Sequence, residues 1–164
     1  MDEKAEALIK RIRVTFKDVT LENGVGLFEA QGLDEYKTPE ECLELRQKDA
    51  KSNWEAISVA DLNQCYSSLS FFDPKGMRFH LPAFLIADIQ DKYKFDLVFT
   101  LAHLNDYSRF QFSVLSLEQR RAVRAYLSYI RDTERYALDR SQIDFSLKEY
   151  WTDEELCVAN QEYD

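Results

Sequence analysis

The residues best suited to chemistry lie in the run Phe71-Phe72-Asp73-Pro74-Lys75-Gly76-Met77-Arg78-Phe79-His80-Leu81. A carboxylate, a guanidinium and an imidazole in one short segment can bind a substrate and move its protons, which is the chemistry of a small hydrolase or transferase. Asp73, Arg78 and His80 are therefore candidate functional residues, with Cys65 or one of Ser67, Ser68 and Ser70 as the nucleophile such an enzyme would need. The plainer expectation has Asp73 capping a turn, Arg78 pairing with a carboxylate and His80 half-buried on a strand. No residue is assigned a catalytic role, because the serines lack a G-x-S-x-G elbow and Gly24-Val25-Gly26 lacks P-loop or Rossmann spacing.

Metal chemistry has little to draw on. His80 and His103 are the two histidines, without H-x-x-x-H or H-E-x-x-H spacing. Cys42, Cys65 and Cys157 are odd in number and far apart, which predicts free thiols. No metal and no cofactor is expected.

A second pattern is cationic. Arg120, Arg124, Arg131 and Arg135 fall within about 60° on a helical projection, beside an apolar face, and form an anion-binding candidate. The competing expectation pairs them with acids of the chain itself, among them Asp153, Glu154 and Glu155, because arginine matches carboxylates two bonds at a time.

The charge of the whole chain points the other way. Thirty acids against 21 bases in 164 residues give a net charge of -9. Such a surface repels phosphate backbones, excluding general nucleic-acid binding, and suits a basic protein partner. The leading functional expectation is a non-enzymatic protein-binding domain, an immunity-type inhibitor or small adaptor. Met1-Asp2-Glu3-Lys4 opens into a charged amphipathic pattern, not a secretory signal. The apolar run near Ala83 to Ala87 stops at Asp88, too short for a membrane span. A cytoplasmic location without membrane association is expected.

Leu8, Ile9, Ile12, Phe16 and Val19 recur at helical spacing and predict a helix over residues 4–19. Asn23-Gly24 marks a turn, and residues 25–30 fit a short strand or a helical turn equally. Thr38-Pro39-Glu40-Glu41 starts a helix running to about Asn53, and Ser58 with Asp61 starts a short one. Asp73-Pro74-Lys75-Gly76 between alternating apolar flanks predicts a hairpin from Phe71 to Leu81, after which Pro82 opens a central helix. Residues 97–112 lack a clean period, and Asn105-Asp106 suggests a turn within them. Ser116 and Gln119 box the start of a long helix from Leu117 to at least Asp132, with an apolar face from Ala122 to Ala137. The tail from Ile143 carries Phe145, Leu147, Tyr150, Trp151 and Leu156 between acids, too apolar to stay undocked. The expectation is one mainly α domain over residues 1–164, a bundle of about five helices with one small β-hairpin.

Three stretches also carry a resemblance: Gly24-Val25-Gly26-Leu27 with Glu29-Ala30, Ser67 through Ala83, and Leu115 through Glu118-Gln119 to Tyr129-Ile130-Arg131-Asp132. Together, and most specifically in the pattern F-x-D-x-x-G-x-R-F-x-L-P-A, they resemble an uncharacterised bacterial family known only as a domain of unknown function. The resemblance implies no activity, cofactor or partner.

Overall fold

Asp2, Thr38, Ser58, Asp73, Asp96, Asn105 and Ser116 each turn a side-chain oxygen onto the backbone amide three residues ahead. A helix follows each of them, because the cap satisfies an amide that the first turn leaves without a partner. In the computed structural model, which describes residues 1–152, these caps open α1 (Glu3–Phe16), α3 (Pro39–Lys48), α4 (Val59–Gln64), α5 (Pro74–Ile89), α6 (Leu97–Ala102), α7 (Asp106–Gln111) and α8 (Leu117–Arg131). Helix α2 (Leu27–Asp34) begins at Gly26 and is capped from a distance: the Asp49 carboxylate accepts the amides of Phe28 at 2.8 Å and Glu29 at 3.2 Å. Helix α9 (Arg140–Glu149) follows a 3-10 stretch, Glu134–Asp139.

The expected hairpin is absent. Among the described residues there is no strand, and Phe71 to Leu81 runs through a turn into the first half of α5. Asp73 and Pro74 are the N-cap and first residue of that helix, a pair as suited to starting a helix as to making a turn. The apparent alternation had another origin. Met77, Phe79, His80 and Leu81 are all buried, because α5 is covered almost all round. Pro82 sits inside the helix instead of opening it, where its ring removes one backbone hydrogen bond.

The described residues form nine α-helices, not about five. Residues 97–112 divide at the Asn105 cap into two short helices, and of the residues left open between strand and helix, 27–30 join α2 while Val25 and Gly26 precede it. The predicted helix from Pro39 stops at Lys48, where Asp49 turns extended to reach α2. Helix α8 stops at Arg131, so Ala137 lies beyond it and is exposed.

Helix α5 is central, packed by α1, α6, α7 and α8 and by the 3-10 turn Trp54–Ala56. Helix α1 lies on α8, α2 on α3, and α9 on α8 and α6. Phe16, Phe72, Phe79, Phe84, Phe112, Tyr126 and Trp151 are fully buried in one continuous apolar cluster. The chain after α9 docks through Trp151, whose indole N–H donates to the Leu101 carbonyl at 2.8 Å. No helix among the described residues is long and apolar enough to cross a membrane.

Candidate functional site

Asp73, Arg78 and His80 stand on the same helix with different surroundings. One Asp73 oxygen accepts the amides of Gly76 at 2.8 Å and Val25 at 2.9 Å, joining the start of α5 to the loop before α2. Arg78 reaches outward and donates to Glu22 at 2.6 Å, beside a groove of about 430 Å³ that Lys17, Asp18 and Gln119 also border. His80 exposes none of its surface. Its Nδ1–H donates to the Gly76 carbonyl at 2.7 Å, and its ring lies flat on Phe72, centroids 4.4 Å apart. Burial pulls its pKa down to about 4, so the ring is neutral. The fold thus places Asp73 on backbone amides, Arg78 on a surface acid and His80 in the core, and substrate in the Arg78 groove would not touch His80.

The cysteine candidate is buried as well. Burial, with Asp49, Asp61 and Glu35 nearby, pushes the Cys65 thiol up to about 12, so thiolate is scarce near neutrality. Cys42 is likewise buried and free; Cys157, like Leu156 of the apolar tail, lies outside the described residues. The Ser68 hydroxyl is buried without a hydrogen-bond partner among the described residues.

The four arginines do not form a stripe facing solvent. Arg120 is buried, donates to the Tyr150 carbonyl at 2.6 Å, and lies over the rings of Tyr150 and Trp151 at 4.5 and 5.1 Å. Arg124 donates to the carbonyls of Leu147 and Trp151, and Arg131 grips both oxygens of Asp144. These three fasten α9 and the residues after it to α8. Arg135 leaves the helix altogether and turns back to Asp88, Asp91 and the Tyr93 carbonyl. Asp153, Glu154 and Glu155 lie outside the described residues.

Two arrangements escape a reading of the sequence alone. The first surrounds Asp88, whose buried carboxylate accepts the hydroxyls of Tyr126 at 2.5 Å and Tyr136 at 2.8 Å, with Arg135 Nη1 at 3.1 Å. Burial raises the Asp88 pKa against the opposing pull of both phenols and Arg135. The visible signal was an acid closing the apolar run Ala83 to Ala87: on a helix buried all round, it must find donors.

The second is an aromatic surface. Phe99, Tyr107 and Phe110 are 61%, 50% and 55% exposed although they are large and apolar. His103 stacks on Phe99 with centroids 5.0 Å apart, and Tyr107 and Phe110 are 6.5 Å apart. Phe99, His103 and Tyr107 border a hollow of about 100 Å³ where α6 meets α7. The missing period over residues 97–112 was its trace, because these two short helices carry more aromatics than their inner faces bury.

The sequence matches the model of the family described as "Family of unknown function (DUF6714)" over residues 4–155. No curated protein and no solved structure matches significantly.

Proposed function

The chain belongs to that family of unknown function, and from this premise we propose that it is a non-enzymatic, cytoplasmic protein-binding domain, an immunity-type inhibitor or small adaptor, whose acidic surface engages a basic protein partner. One observation carries the reading: many of the arginines are spent on the fold, so that, although Lys4, Lys10, Arg11, Lys17 and other bases are exposed, acids outnumber bases among the exposed residues of the described chain. Arg120 and Arg124 hold backbone carbonyls, and Arg13, Arg46, Arg78, Arg131 and Arg135 pair with acids of the chain. Glu3, Glu6, Glu40, Glu44, Asp96, Asp106 and Glu149 stay exposed. The excess of negative charge therefore lies where a partner meets it, and such a field speeds encounter with a cationic surface. The enzymatic alternative draws no support from His80, which is buried and neutral, and the anion-sensing alternative none from arginines turned onto the fold.

Affinity capture from the source cells at low and high salt, followed by mass spectrometry, tests the reading. A reproducible partner with a basic surface, released by salt, is expected. Recovery of acidic partners alone, or of none, overturns it.

A further inference from the structure

We infer that the hollow between Phe99 and Tyr107 receives one cationic side chain, an arginine or lysine presented by the basic partner. This rests on the proposed protein-binding role and gives that role an address. Both rings are held in place before anything binds: Phe99 stacks on His103, and the Tyr107 hydroxyl donates to the Phe72 carbonyl at 3.3 Å. Held rings cost little ordering on binding, and exposed aromatic surface is the usual anchor of a protein interface.

Size and charge select the occupant. A hollow of about 100 Å³ takes the head of one side chain, whereas a small-molecule site spans roughly 300–1,000 Å³. Aromatic faces are negative and attract cations. The acids nearby agree. Asp96 caps α6, Asp106 opens α7, and Asp73 lies close enough to Tyr107 to help raise its pKa, after burial. Helix α6 carries no lysine or arginine, its C-cap His103 being the one basic residue on the border of the hollow, and Arg109 on α7 lies over the Tyr150 ring at 5.6 Å. The border of the hollow itself holds no acid, but an anion there would meet ring faces with Asp73 and Asp106 close to Tyr107, and a second copy of the chain would bring a like charge of -9.

The test titrates the intact chain with a Gly-Arg repeat peptide and with the same peptide carrying neutral citrulline for arginine, followed by amide NMR. The arginine peptide should shift the amides of α6 and α7 and the citrulline peptide should not. Phe99→Leu, and Tyr107→Leu with loss of the hydroxyl bond to the Phe72 carbonyl, should each weaken binding about tenfold. Glu40→Gln with Glu44→Gln on α3 should weaken it far less. Equal binding of the citrulline peptide, no binding of either, or shifts confined to α3 each overturns the inference. So does self-association abolished by Phe99→Asp. If the Phe99→Leu chain captures a basic partner from cells at undiminished yield, the hollow is wrong while the protein-binding role stands; if the wild-type chain captures none, the role itself fails.

Discussion

Asp73 accepts the amide of Val25 at 2.9 Å across 48 positions of sequence, with the same oxygen that caps α5 through Gly76. The two segments fit closely. A Cβ on Gly76 would lie 2.5 Å from the Val25 carbonyl, and one on Gly24 would lie 2.6 Å from the Gly76 nitrogen. The Gly24-Val25-Gly26 and Asp73-Pro74-Lys75-Gly76 stretches are therefore halves of one joint, and Asp73 is its pin.

Asp73→Ala removes a cap and a long-range hydrogen bond together, so unfolding in urea should show a loss of about 2–3 kcal/mol. Asp73→Asn, which still caps, should lose less than half of that. Equal losses would show that the charge, not the acceptor geometry, holds the joint.

Gly26 has φ of -77°, open to alanine, but a Cβ there would lie 2.1 Å from the Asp49 carboxylate that caps α2. Gly26→Ala should destabilise by about 1–3 kcal/mol in the wild type. In an Asp49→Gly background, which removes the Asp49 Cβ at 2.9 Å along with the carboxylate, the same change should cost under about 0.5 kcal/mol. Additive losses in the double variant would contradict this coupling.

His80 stays neutral in the core, with a pKa of about 4, while an unfolded imidazole titrates near 6.5. Between those values the unfolded chain binds a proton that the folded chain refuses. This part of the stability is complete above about pH 6.5 and declines as pH falls toward 4, by up to about 3 kcal/mol. His80→Phe, whatever its cost at neutral pH, should remove that decline. Urea midpoints at about pH 7 and about pH 5 measure it, and identical slopes in the two proteins would rule it out.

Asp88 carries the opposite sign. Its pKa is raised by burial, so in the interval above the ordinary carboxylate range, about 4, the folded chain holds a proton that the unfolded chain has lost. Stability from this group falls as pH rises through that interval and returns on acidification. In a His80→Phe background Asp88→Asn should flatten the remaining slope, whereas Asp88→Leu, leaving the Tyr126 and Tyr136 hydroxyls without their acceptor, should cost about 2–4 kcal/mol at any pH.

Trp151 fills the core from the end of the described chain and satisfies the Leu101 carbonyl. Trp151→Ala should cost about 3–5 kcal/mol in thermal or urea unfolding. It should also loosen α9, read as faster amide exchange over residues 140–149. Unchanged exchange there would mean that the arginine clamps hold α9 without it.

The mainly helical class, the caps at Thr38, Ser58 and Ser116, the apolar faces of α1 and α8, and the docking of the Trp151 segment were legible in the order of residues alone. These are properties of neighbours along the chain: an oxygen three residues from its amide, or a side chain one turn from the next. The tertiary structure decided the rest. Whether Asp73-Pro74 makes a turn or opens a helix depended on cover for every side of α5, which α1, α6, α7 and α8 supply from elsewhere. The cap of α2 is Asp49, some twenty residues downstream. The arginines became clamps because α9 folds back across α8, Asp88 found its two phenols only once α5 met α8 and the 3-10 stretch after it, and Phe99 and Tyr107 stayed outside the core. Burial is a property of the assembled chain, and it alone separates an aromatic that holds the fold together from one left to meet a partner.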